Sequence, residues 1–132
     1  MEPRRAGLEI LDESECLALL ASGSLGRVGV TIGALPAILP VNYTMSGSDI
    51  VFRTAPGTKL SAALRNTVVA FEVDYADWDR REGWSVLAIG EAEVVEPDQV
   101  EADVQPFLPG LQYLVRIRPE MLSGRRIAHT DA

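Results

Sequence analysis

The chain has 132 residues, 19 of them acidic and 12 basic, for a net charge of −7. That balance excludes duplex nucleic acid as the main partner, because neutralising phosphates needs clustered Lys and Arg. A single cysteine, Cys16, excludes an internal disulfide and any CxxC metal or redox pair. The length fits one domain with one core, and 47% hydrophobic residues fit a globular chain. No apolar run approaches the ~20 residues of a membrane helix. The N-terminal M-E-P-R-R-A-G-L lacks the apolar centre of a secretory leader, so a cytoplasmic location is expected. Residues 1–132 read as one domain, with loose tails at 1–7 and 128–132.

Leu8–Ser22 reads as a helix. Asp12 is its N-cap, Glu15 completes a capping box, Leu11 staples onto Cys16, and Gly23 ends it. The hydrophobic period then changes to two. Leu25–Ile32 is a strand, Gly33 and Ala34 turn it, and Leu35–Thr44 is a second strand. Its Pro36 and Pro40 require an edge or a bulge. After the Ser46–Asp49 turn, Ile50–Thr54 is a third strand, so the three form a meander. Gly57–Arg65 reads as a short helix and Thr67–Tyr75 as a strand. Ala76–Gly83 is a charged loop, and Trp84–Glu96 is a long strand bent at Gly90. Pro97–Pro106 has weak helical character, Leu111–Arg118 is the last clear strand, and Ser123–Ile127 is a turn with a short extended piece. With one crossover helix and short connections, a small antiparallel β-barrel with flanking helices fits better than a doubly wound parallel sheet.

The chemistry concentrates in Ile50–Leu60. Arg53 and Thr54 end a strand, a Pro-Gly turn follows, and Thr58 and Lys59 open a helix. Two cations, two hydroxyls and a helix start within seven residues are the parts that hold a phosphate. A lysine in the first helical turn opposes the helix dipole, which points to placement for a ligand. The same spacing also fits a solvated strand end and a polar turn. It is not a Walker loop, since the glycine spacing and the Gly-Thr-Lys order are wrong. Asn42 is a polar residue in an apolar strand, suited to the polar edge of a ring or to a backbone partner. Trp84 fits a core anchor as well as a ligand contact. Glu72 and Asp74 share one strand face and read as solvated. Asp74, Asp77 and Asp79 lack calcium-loop spacing, so no metal is expected. His129, the only histidine, stands in a polar tail. Arg125 and Arg126 either pair with acids or reach a groove, and Cys16 reads as structural.

P-V-N-Y at 40–43, F-R-T-x-x-G-T-K-L at 52–60, F-E-V-D at 71–74, G-W-S-V at 83–86 and G-R-R-I at 124–127 occur in this order. Together they resemble the flavin-binding split-barrel superfamily, in particular the small pyridoxamine 5′-phosphate oxidase-like proteins of the nitroimidazole-resistance type. The resemblance runs from about Leu11 to Ile127. It implies a six-stranded antiparallel split barrel and a homodimer with flavin mononucleotide (FMN) in the interface groove. It also implies a flavin-dependent oxidoreductase acting on a small molecule. Carried onto this chain, it assigns the FMN phosphate to Arg53, Thr54 and Lys59, with Thr58 nearby. The ring falls to Pro40, Val41, Asn42 and Phe52, and Trp84 and Ser85 approach the flavin of the partner subunit. A deazaflavin cofactor, with Arg27 and Arg65 along its longer tail, and a non-catalytic flavin-binding or storage protein are the alternatives. The C-terminal Trp and Arg pattern of true pyridoxamine phosphate oxidases has no counterpart, since no Trp follows Trp84. The resemblance therefore does not extend to pyridoxine chemistry.

Overall fold

Asp12 caps a helix as its spacing predicts. Its carboxylate accepts from the Glu15 N–H at 2.8 Å, and the Glu15 carboxylate accepts from the Asp12 N–H. In a computed structural model, which describes residues 7–105 and 108–128, the elements run as follows: β1 (Leu8–Leu11), α1 (Glu13–Ser22), β2 (Leu25–Ile32), β3 (Leu35–Ser46), β4 (Asp49–Thr54), α2 (Lys59–Ala63), β5 (Thr67–Asp77), β6 (Glu82–Val95) and β7 (Tyr113–Ile127). His129 and most of the two expected tails lie outside the described residues.

All pairings are antiparallel, in the order β1-β7-β4-β3-β2-β5-β6, and β7 also pairs with β6. That last pairing closes β7, β4, β3, β2, β5 and β6 into a six-stranded ring, and β1 adds a seventh strand along β7. The antiparallel barrel is as expected. The seventh strand is a correction, because Leu8–Leu11 was expected to begin the helix. Four residues are too few to separate a helical from an alternating pattern. Pairing with Gly124–Ile127 makes them extended. Two further segments differ. Leu111–Arg118 and Ser123–Ile127 belong to one 15-residue strand, because β6 pairs with it from Leu114 to Ile127. Pro97–Pro106 is not a helix among its described residues. Only Pro97–Gln99 makes a 3-10 turn, and the chain to Gln105 is irregular.

The core fills the ring. Val28 and Val30 (β2), Tyr43 (β3), Ile50 and Phe52 (β4), Phe71 (β5), Val86 and Ala88 (β6), and Val115 and Ile117 (β7) all point inward. Cys16 and Leu20 of α1 are fully buried in the same cluster. Tyr43 and Phe71 meet edge to face, 5.0 Å between centroids, and the Tyr43 hydroxyl donates to the Leu20 carbonyl. Burial pushes the Tyr43 phenol up to about 12. It also pushes the Cys16 thiol up, aided by Asp12, which fits a structural cysteine. The two prolines of β3 fall where the edge reading requires. β3 pairs with β2 over Leu35–Asn42 and with β4 only over Tyr43–Ser46, so Pro36 and Pro40 have one open side.

Candidate functional site

Strand alternation divides the expected ring-lining residues into two groups. Pro40 and Asn42 lie on the outer face of β3. Val41 packs against the core, and Phe52, opposite Tyr43, is fully buried. The side chains of Val41 and Phe52 therefore face the barrel interior, away from those of Pro40 and Asn42, because side chains alternate along a strand. Phe52 is enclosed by its own chain and has no surface to offer a ring.

The phosphate candidates sit together at the β4–α2 turn, but in different states. Thr54 is nearly buried. Thr58 is the N-cap of α2. Its hydroxyl accepts from the Ser61 N–H at 3.0 Å and lies 3.2 Å from the Ala55 carbonyl, to which it donates. Lys59, the chain's one lysine, is exposed and has no anionic partner among the described residues. Arg53 already holds an anion. Its Nε donates to Asp103 Oδ1 at 3.2 Å, its Nη2 donates to Oδ2, and its Nη1 donates to the Gln112 carbonyl at 3.3 Å.

Asp103 belongs to the connection between β6 and β7, which folds over the outer face of β3 and β4 as a strap. Val100 joins Val51, Val95 and Leu114 in a second small core. The Arg116 Nη1 donates to the Gln99 carbonyl, while its Nε donates to Glu93. The Glu101 N–H donates to Ser46 Oγ at 2.8 Å, and Asn42 Nδ2 donates to the Gln105 carbonyl at 2.8 Å. Two expected ligand residues, Arg53 and Asn42, are thus tied to one strap. Sequence reasoning read this segment as a weak helix and missed Asp103 as a partner. The apolar–polar alternation Val100-Glu101-Ala102-Asp103-Val104 is the signal that it lies extended on a surface.

The hydrogen bond from Arg53 holds the Asp103 carboxyl below the usual aspartate range. A depressed folded-state value stabilises above the ordinary aspartate pKa, and the contribution is lost as pH falls through the folded-state value. The thermal midpoint of the Asp103→Asn protein should therefore lie below wild type at pH 7, with the gap narrowing as the pH is taken below the ordinary aspartate pKa. A gap unchanged as the pH falls would show that this pair does not carry the effect. The difference will be modest, since Asp103 is 40% exposed.

Arg27 and Arg65, the residues proposed for a longer cofactor tail, are both engaged. Arg27 bridges Glu72 and Asp74 at 3.3 Å each, and Arg65 stacks 5.3 Å over the Tyr113 ring. Burial, then the hydrogen bond with Asp74, pushes the Glu72 carboxyl up. Arg126 pairs with Glu9 at 3.2 Å and Glu15 at 3.7 Å, whereas Arg125 points the other way. Among the described residues no cluster of His, Cys, Asp and Glu suits a metal. No helix there is long and apolar enough to cross a membrane.

Trp84 and Ser85 lie at the opposite end of the barrel from Lys59. They line a cavity of about 840 Å³ with Leu8, Tyr75, Trp78 and Arg125, between the β5–β6 tip and the end of β7. From Thr67, near α2, to Ala76 at the cavity is nine residues of β5, about 30 Å at ~3.3 Å per residue. One chain thus separates its expected phosphate end from its Trp84 end.

The sequence profile of the pyridoxamine 5′-phosphate oxidases matches residues 12–126. The chain belongs to the pyridoxamine 5′-phosphate oxidase-like family. It is 41% identical over 127 residues to the uncharacterized protein Rv0080 of Mycobacterium tuberculosis, covering 89% of this chain and 84% of that one. Among solved structures it resembles the FAD binding protein of Mycobacterium smegmatis, at 35% identity and a TM-score of 0.75, over 91% of this chain and 98% of that one. It also resembles a Corynebacterium glutamicum protein classed with the pyridoxamine 5′-phosphate oxidases. There the identity is 34% and the TM-score 0.81, over 98% and 100% of the two chains. The fold of this family's split barrels is the fold described above.

Proposed function

We propose that this protein binds a flavin nucleotide between two copies of the chain and uses it as an oxidoreductase toward a small molecule. The likeness to the FAD binding protein of Mycobacterium smegmatis, over nearly the whole of both chains, carries the reading. The residues fit the group. Lys59 is a cation with no anionic partner among the described residues, beside a capped turn; Arg53 stands next to it and would exchange the Asp103 carboxylate for the phosphate, and the Asn42 amide lies on the outer face of β3. A bound flavin supplies the electron or hydride transfer. Lys59 and Arg53 hold its phosphate, with Thr58 fixing the turn. Pro40 and Asn42 orient the ring edge, and the Gln105 carbonyl keeps the Asn42 amide in one orientation. Trp84 and Ser85 close the site from the second copy and exclude water. FMN is the smallest cofactor that satisfies this arrangement.

The second copy is required because the two ends lie at opposite poles of one barrel. An apolar outer face supports it. Cross-strand partners Ile38, Gly29, Ala70, Ile89 and Met121 form one row across five strands, with Ile38 and Met121 largely exposed. Anaerobic addition of NADH, NADPH or reduced deazaflavin to the flavin-loaded protein should bleach the flavin band, and a quinone or nitro compound should restore it. The same sample should sediment as a dimer. Absence of bleaching with every donor would favour the non-catalytic binding protein, and a monomer mass would remove the interfacial site.

A further inference from the structure

The cavity at the β5–β6 tip has features that the flavin reading does not use. Nine arginines fall among the described residues. Six pair with acids, and Arg65 stacks on Tyr113. The two that remain without a polar partner, Arg81 and Arg125, both line this cavity. In a chain of net charge −7, two unneutralised cations at one cavity are unexpected. Of the two acids on the same rim, Glu82 lies 3.6 Å from the Arg80 guanidinium, and Asp77 accepts from the Arg80 backbone N–H and pairs with neither Arg81 nor Arg125.

The backbone is specialised at the same place. Arg81 has φ +55°, a left-handed conformation that glycine or asparagine adopts more readily. Ala34 and Asn66 take the same conformation at other turns, so at Arg81 it serves to fix the β5–β6 tip and the direction of the side chain. Beside it, Trp78 is 86% and Tyr75 56% exposed, and Trp84 forms the inner wall. The volume, about 840 Å³, is that of a small-molecule site. Aromatic faces together with unpaired guanidinium groups match one ligand chemistry: a planar base that stacks and a phosphate that takes charge-assisted hydrogen bonds.

We propose that this cavity is an adenine-nucleotide site, with the base against Trp78 and Tyr75 and the phosphates on Arg81 and Arg125. Two sources share that chemistry: the adenylate half of a flavin dinucleotide whose ring lies in the groove proposed above, and a pyridine dinucleotide that brings electrons to it. The assignment of a source rests on the flavin reading, whereas the site itself does not.

The test is calorimetric titration of flavin-free protein with 5′-AMP, then with FMN and FAD, and of flavin-loaded protein with NADPH. The variants are Arg81→Gly and Trp78→Ala. Glycine relaxes the left-handed backbone, so Arg81→Gly should melt no lower than wild type, and Trp78 is too exposed for its loss to unfold the chain. Wild type should bind AMP, and each variant should weaken it about tenfold or more, the effect of one charged hydrogen bond or one stacked base. If the flavin dinucleotide is the source, FAD binds more tightly than FMN, and the margin collapses in both variants while FMN affinity is unchanged. If the pyridine nucleotide is the source, FAD and FMN bind alike and the variants weaken NADPH. AMP binding without flavin binding would uphold the site and overturn the flavin reading. Failure of AMP to bind, or an equal fall of FMN and FAD in the variants, would overturn the nucleotide site.

Discussion

Replacing Gly90 with alanine should cost the barrel much of its stability. Gly90 sits where the β6–β7 register shifts, between Ile89 and Gly90. A Cβ there would stand 1.9 Å from the Arg118 carbonyl oxygen and 2.7 Å from its carbon. Those are backbone atoms of the strand that closes the ring, so no side chain can rotate to make room. Overpacking costs about 1–3 kcal/mol where side chains can yield. Here the bulge itself must break, and a loss of more than about 3 kcal/mol is expected, against a total of roughly 5–15 kcal/mol for a domain. Gly29→Ala is the control, because its Cβ would make only ordinary contacts, with the Ala70 Cβ at 3.6 Å and the Ala70 carbonyl oxygen at 3.9 Å. Thermal melting should separate the two variants by roughly 10 °C or more. Equal midpoints would show that the bulge does not hold the closure of the barrel.

The second large effect concerns the cofactor. Lys59→Ala should weaken flavin binding by roughly 1.5–3 kcal/mol, the worth of a charged hydrogen bond to phosphate. Its melting temperature without flavin should not change, because Lys59 is exposed and has no anionic partner among the described residues. Arg53→Ala should weaken flavin by a similar amount and also lower the melting temperature of the flavin-free protein. That side chain anchors the strap through Asp103 and the Gln112 carbonyl. The two variants therefore differ in stability even where they agree in affinity. Fluorescence titration with FMN and with riboflavin, which lacks the phosphate, reads the affinity term. The loss should appear with FMN and vanish with riboflavin. An equal loss for both ligands would remove Lys59 and Arg53 from the phosphate.

Most of the barrel was legible because its strands alternate cleanly and their turns carry Gly, Pro, Asn or Asp. β2, β4 and β5 lie close to where the period of two places them, and Gly90 marks a register shift as expected. What escaped depended on partners distant in sequence. Leu8–Leu11 is extended only because Gly124–Ile127 pairs with it. Pro119 and Gly124 look like breaks, yet β6 pairs with β7 on both sides of them. The segment after Pro97 carries helix-forming residues, yet Val100 and the contacts of Asp103 and Gln105 lay it over β3 and β4.

The candidate site divides in the same way. Arg53, Thr58 and Lys59 stand together at the β4–α2 turn because they are neighbours in sequence, and the turn keeps them so. Val41 and Phe52 turn their side chains inward, since a family resemblance names positions whereas strand alternation decides which face each side chain takes. Asp103 meets Arg53 only through the strap, and Arg125 meets the Trp78–Arg81 turn only through the pairing of β6 with β7. Local spacing contains neither arrangement.

The central claim is that this barrel carries a flavin nucleotide. The visible spectrum of the freshly purified protein, with mass spectrometry of whatever denaturation releases, tests it most directly. The expected result is a yellow protein with a flavin absorption band that releases a flavin mono- or dinucleotide. A colourless protein that gains no absorbance on incubation with FMN or FAD would contradict it.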